Sequence, residues 1–198
     1  GISVVGTGDA SHPAWISECE EKFTQDEGGL YVLKPEVRKD FTVSVGLEEE
    51  LPLTKKSKGD VVRFMLSAEV STIYKKDGRV RKVHHVILLP DFAAARALQK
   101  KLAVVGNITS DGRPILGLDS RNLLEIVLTV SDRALLIPAH IWTPWFSALG
   151  DKSGFDSIDE CYGDLSSHIT AVETGLSSDP PMNWRCGFLD RFSIISNS

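Results

Sequence analysis

One run limits the fold of this chain more than any other: Ala134-Leu135-Leu136-Ile137-Pro138-Ala139-His140-Ile141-Trp142-Thr143-Pro144-Trp145. Consecutive apolar residues before Ala139 fit a strand buried on both faces. Pro138 is tolerable only near its end, where ladder hydrogen bonds stop. His140 is therefore expected at the carboxyl end of a strand, where parallel α/β folds carry their chemistry. A lone histidine is more often a core residue bonded to a backbone carbonyl. Other strand-like runs in this chain also end in ionisable groups, and that moves the reading toward a site.

A strand of this kind needs cover on both faces, and 198 residues can supply it as one domain spanning 1–198. With 42% hydrophobic and 25% charged residues, the composition is that of an ordinary soluble globular protein. A formal net charge of -5 gives no global basic field to attract nucleic acid. Basic residues gather in Lys55-Lys56-Ser57-Lys58 and between Lys75 and Lys82, and such runs are more often solvated turns than phosphate-binding patches. Cys19, Cys161 and Cys186 are widely spaced, with no CxxC pair, and imply neither a disulfide framework nor a thiolate zinc site. No apolar run approaches the roughly 18 residues of a membrane span, and no leader pattern is present, so a cytoplasmic chain is expected. The chain opens on Gly1 to Val5 and closes on Phe192 to Ser198, both strand-like, which predicts a segment of a longer protein.

Along the chain, Ile2 to Val5 is expected to be a buried strand, followed by the loop Gly6-Thr7-Gly8-Asp9-Ala10-Ser11-His12-Pro13. Asp9 and His12 offer a carboxylate and an imidazole. Asp9 also suits a turn, and Ser11 a cap for a helix from Pro13 to Phe23. The weakly patterned stretch 24–59 is the expected excursion. Val61 to Ala68 is a strong strand that delivers Glu69, which must be solvated or paired with a cation. Val70 to Tyr74 and Val80 to Leu89 flank the hairpin signal Asp77-Gly78. Strand alternation sends His84 and His85 to opposite faces, and periodicity does not choose between them. Helices are expected from Asp91 to Leu102 and from Asp119 or Ser120 to Val130, then the His140 strand and a long aromatic loop from Trp142 to Gly163. Ile169 to Val172 ends in Glu173, and Phe192 to Ile195 is the last strand.

Asp9 with His12, Glu69, His140 and Glu173 thus all follow apolar strands. A His, Asp and Glu set without Cys suits divalent zinc or manganese, and neither GxGxxG nor GxxxxGKS is present for a dinucleotide or Walker site.

At these residues the chain resembles the polymerase and histidinol phosphatase (PHP) superfamily. The likeness is carried by Gly6 to Pro13, the strand ending in Glu69, His84 to Leu89, Pro138 to Pro144 and Leu165 to Asn197. Ser110 to Asp119 and Glu173 to Pro180 are similar to the branch that contains endonuclease Q, a DNA-repair nuclease. The resemblance implies a distorted seven-stranded β/α (TIM-like) barrel, truncated at both ends in this chain. It also implies two or three divalent ions, zinc or manganese or else magnesium, and hydrolysis of phosphate esters. Carried over by position, Asp9, His12, Glu69, His85 and His140 are the metal ligands, and Glu69, His140 and Glu173 the catalytic groups. The first family motif would lie before Gly1 and the last after Ser198, so the segment alone is expected to be inactive.

On that reading Trp142, Trp145 or Trp184 could stack on an extruded base, although core packing is the commoner role of any one tryptophan. Arg113 and Arg185 are candidates for phosphate contacts. The expected function is a metal-dependent DNA-repair endonuclease cutting beside uracil, hypoxanthine or abasic sites, with DNA as partner in the full-length protein. Two alternatives stand beside it: a small-molecule phosphatase of the histidinol phosphatase kind, and a non-catalytic module docking a helicase or polymerase.

Overall fold

The computed structural model describes residues 2–38, 61–110, 112–176 and 179–197. Its centre is a long hairpin. Strand β4 (Arg63–Lys76) turns at Asp77-Gly78 into β5 (Arg79–Leu89), pairing in register from Lys76 opposite Arg79 to Leu66 opposite Leu89. Asp77 and Gly78 have φ of 52° and 73°, the left-handed pair that a two-residue turn needs to match the twist of its strands. Glu69 therefore does not end a strand. It lies mid-strand, and the two separate runs expected on either side of it are one element.

Around the hairpin, β2 (Phe23–Gln25) and β3 (Tyr31–Leu33) add one edge, with Tyr31 opposite Phe64 of β4. Strands β1 (Val4–Gly6) and β6 (Ile115–Leu116) run parallel to β4. Strand β7 (Leu135–Pro138) runs antiparallel to β5. The result is a seven-stranded, mostly antiparallel sheet. A second, two-stranded parallel sheet pairs β8 (Ala171–Gly175) with β9 (Ser193–Asn197).

Of the expected distorted, truncated β/α barrel, the described residues show the mixed α/β class and no closed barrel. Parallel barrel strands need crossover helices between them, whereas a two-residue turn joins β4 to β5, so the sheet is mostly antiparallel. The structure corrects the first strand, expected to be buried: Val4 and Val5 of β1 are exposed. In β7 only the opening Leu135 is exposed, and Leu136 and Ile137 are buried on opposite faces as expected. Of the expected excursion, 24–38 includes β2 and β3, while 39–59, with the Lys55 to Lys58 run, lies outside the described residues.

Alternation sorts the hairpin into two faces. Leu66, Ala68 and Val70 of β4 with Val83, Ile87 and Leu89 of β5 are buried in a core shared with three longer helices and with Ile158, Cys161 and Tyr162. The longer helices are α1 (Pro13–Lys22), α2 (Phe92–Ala103) and α3 (Ser120–Val130), which contribute Ile16, then Ala95, Leu98 and Leu102, then Leu123, Leu124 and Val127. Each fully buried leucine contributes about 1.5–3 kcal/mol. The helices start where their caps dictate: the Asp91 carboxylate accepts the Ala94 N–H at 2.8 Å, and the Asp119 carboxylate accepts the Arg121 N–H at 2.8 Å. At α1 the cap is His12 rather than Ser11, its Nδ1 accepting the Trp15 N–H at 3.4 Å. Among the described residues no helix is long and apolar enough to cross a membrane.

Candidate metal centre

The opposite face of the hairpin carries the polar groups. Register sets Glu69 across from Val86 and Ser71 across from His84, so Glu69 and His84 are diagonal neighbours on one face. His84 Nδ1 lies 3.4 Å from Glu69 Oε1. The third member arrives from the end of β7. Pro138 is the last residue of the strand, the Ala139 N–H bonds the His84 carbonyl at 3.0 Å, and the chain then turns at His140 with φ of 32°. His140 Nε2 comes within 3.0 Å of His84 Nδ1 and 3.7 Å of Glu69 Oε1.

A left-handed histidine costs on the order of 1–2 kcal/mol and persists only where its surroundings over-determine it. Here the His140 N–H donates to Glu173 Oε2 at 2.9 Å, and the His140 carbonyl accepts the Thr143 N–H at 3.0 Å. Glu173 sits within β8 and is buried, and its carbonyl accepts the Ile141 N–H at 2.9 Å, joining the small sheet to the large one at the site. The ring is fixed as well. The Thr143 hydroxyl gives its single proton to the carbonyl of Trp145 (2.9 Å) or His140 (3.2 Å) and so accepts from His140 Nδ1 at 2.9 Å. That leaves Nε2 as the nitrogen turned toward Glu69 and His84. Fixing one ring nitrogen so that the other faces an ion is how metal-binding histidines are usually oriented.

Glu69, His84 and His140 bring one ligand atom each to within 4.8 Å of one another. Burial pushes the Glu69 carboxyl up, but the contacts with His140, Arg113 and His84 outweigh it and hold it below the usual carboxylate range. Burial, with the Arg113 charge beside it, pushes His84 down to about 4 against the pull of Glu69. An ionised carboxylate and a neutral imidazole are the forms that bind a divalent ion. Two imidazoles and a carboxylate match zinc or manganese in donor type. Arg113 reaches in from the loop before β6, its Nε 3.1 Å from Glu69 Oε2 and its Nη1 2.8 Å from His84 Nδ1. The Phe146 ring packs on His84 at 4.6 Å between centroids.

The other candidate ligands stand elsewhere. His85 is fully buried on the helix-covered face, where its ring meets Thr72 Oγ1 at 3.0 Å and Tyr162 OH at 2.9 Å. Desolvation and the neighbouring His84 push it down to about 3. His84, not His85, is the histidine of this cluster. His12 has both ring nitrogens engaged, Nε2 with the Thr109 carbonyl at 3.1 Å and Nδ1 with the α1 cap. Asp9, with φ of 44°, shares an open cleft with His12, Trp15, Glu18 and Gly112. Its loop is moored to the strand of Glu69, since the Gly8 N–H donates to Ser67 Oγ at 3.0 Å and the Ala10 N–H to the Ser67 carbonyl at 2.9 Å.

Trp142 is half-buried, with its indole N–H on Asn183 Oδ1 at 2.7 Å. Trp145 is 53% exposed beneath Lys82 Nζ, 5.2 Å from the ring centroid. Trp184 (90% exposed) and Arg185 lie on the short helix Pro180–Arg185. Periodicity did not divide His84 from His85, the family resemblance carried His85 over as the ligand, and sequence reasoning did not find Thr143. Strand alternation could have selected His84 once paired with the register of β4, but nothing in the sequence announces Thr143.

No protein-family model matches the chain, and no curated protein matches it. Two solved structures are similar over its whole length. One is the lesion-specific endonuclease Q of Pyrococcus furiosus, 25% identical with a TM-score of 0.70. The other is an endonuclease Q in complex with a duplex carrying an abasic lesion at the active site, 27% identical with a TM-score of 0.72. This chain covers 100% of its own length in both matches and spans 40% of each of those chains, so its likeness is to part of an endonuclease Q fold.

Proposed function

We propose that this chain carries the metal centre of a DNA-repair endonuclease of the PHP type, which hydrolyses a phosphodiester beside an abasic site or a deaminated base. The observation that carries this reading is the convergence of Glu69, His84 and His140 within 4.8 Å, in a fold shared with two endonucleases, one of them held on lesion-bearing duplex DNA.

His84, His140 and Glu69 would hold one divalent ion, zinc or manganese by donor type. When bound, such an ion supplies Lewis-acid stabilisation of charge building on the phosphate. The chain's own groups do the rest. Glu173 and Thr143 hold His140 in its strained turn with Nε2 facing the site. Arg113 supplies a permanent positive charge beside Glu69 for an anionic substrate. Asp9 is the residue from which a second ion would draw, its loop lying against Ser67 of the same strand. Trp145 and Trp184 present exposed ring faces on which a base could stack.

The test, on the full-length protein, is cleavage of end-labelled duplexes carrying one abasic site, one deoxyuridine or no lesion, with Mn2+. Scission of the lesion duplexes alone, abolished by chelator and by His140→Ala, supports the proposal. Hydrolysis of a small phosphate monoester with no cleavage of any duplex would replace it with a small-molecule phosphatase.

A further inference from the structure

We propose that Arg113 is the resident counter-cation of this centre, competing with a divalent ion for His84 and Glu69, so that metal loading turns its guanidinium outward to receive a phosphate. The inference rests on the metal-centre reading above and goes beyond it by giving the centre two exclusive cations.

Arg113 Nη1 lies 2.8 Å from His84 Nδ1 and 3.0 Å from His84 Nε2, while its Nε stands 3.1 Å from Glu69 Oε2. An ion bound to His84 would sit about 2.0–2.1 Å from a ring nitrogen, in the space held by a guanidinium nitrogen that stands 2.8 and 3.0 Å from the two of them. The two cations cannot occupy it together. Glu69 is contested in the same way, and two cations sharing one carboxylate repel each other. Arginine stays protonated in proteins, so the conflict is relieved by movement and not by loss of a proton.

The structure says which part moves. The Ser71 N–H donates to the Pro114 carbonyl at 2.9 Å, and Ile115 follows opposite Ser71, so the backbone beside Arg113 is tied to β4. The Arg113 side chain is 39% exposed and attached to that fixed point, which leaves side-chain rotation as the way out. A guanidinium displaced by a turn of its own side chain remains at the rim of the centre, where its fork matches two phosphate oxygens.

The experiment is calorimetric titration of Mn2+, chosen because manganese prefers oxygen and imidazole donors over thiols, into the wild-type protein, Arg113→Gln and Arg113→Lys, with circular dichroism confirming each fold. Inorganic phosphate is then titrated into each Mn2+-loaded protein. Competition predicts that Arg113→Gln binds Mn2+ about tenfold or more tightly, one charge-assisted contact having been removed from the ligands. Arg113→Lys, which keeps the charge, should stay near wild type. Phosphate binding should be present in loaded wild type and lost in Arg113→Gln. Equal or weaker Mn2+ affinity in Arg113→Gln overturns the proposal. Failure of all three folded proteins to bind Mn2+ overturns the metal-centre reading beneath it.

Discussion

Alanine substitutions at two adjacent histidines separate the site from the core. His85 is fully buried, with Thr72 Oγ1 at 3.0 Å, Tyr162 OH at 2.9 Å and Ser120 Oγ at 3.4 Å from its ring. His85→Ala takes the imidazole from the hydroxyl of Tyr162, itself fully buried, at a cost of about 1–3 kcal/mol. The cavity left by the ring brings the total to about 3–5 kcal/mol. For a chain of this size each kcal/mol moves the melting temperature by about 2–4 °C, so a fall on the order of 6–20 °C is expected. Metal affinity should change little. His84→Ala should do the reverse, changing stability by no more than about 1 kcal/mol and lowering Mn2+ affinity on the order of 100-fold, at the upper end of what loss of a metal-orienting group costs. Thermal denaturation and Mn2+ titration of both variants check the pair. A stable His85→Ala that no longer binds Mn2+, beside a His84→Ala that still does, would refute the register argument that sets His84 against Glu69.

Two further outcomes follow from the same geometry. Glu173→Ala removes the acceptor of the His140 N–H, so a loss of about 1.5–3 kcal/mol in denaturant unfolding is expected, with weaker Mn2+ binding because His140 relaxes from its left-handed turn. Stability should also fall with acid. His85 is held down at about 3 from an ordinary 6.5, so the unfolded chain binds a proton that the folded chain refuses. The contribution is fully present above pH 6.5 and is lost as the pH falls toward 3, at about 1.4 kcal/mol per pH unit from this group. His84, pushed down to about 4, acts in the same direction. A melting temperature flat between pH 7 and 4 would contradict this.

The helices were legible because their apolar residues recur at helical spacing behind Asp91 and Asp119, side chains that cap their own first turn. The Asp77-Gly78 hairpin was legible because few sequences adopt its two positive φ angles. Glu69 misled because a charge after an apolar run reads as a strand end, yet an edge of polar residues facing a site lets β4 continue beneath it. His84 and His85 stayed undivided because alternation gives two faces and only cross-strand register says which face holds Glu69. His140 and Glu173 were found as candidates, but their link, a side chain of β8 bonded to the backbone after β7, joins residues 33 apart in sequence and has no local signature. The truncated, distorted barrel was read from family resemblance; the described residues bear out its mixed α/β class, with a mostly antiparallel sheet and no closed barrel.

The central claim, that Glu69, His84 and His140 form a divalent metal centre, is tested most directly by anomalous diffraction from crystals of the protein grown with Mn2+. The account predicts an anomalous peak about 2.0–2.3 Å from Glu69 and from the ring nitrogens of His84 and His140, with the Arg113 guanidinium turned away from His84. No peak at that position, with Arg113 still against His84 and Glu69 at saturating Mn2+, would contradict it.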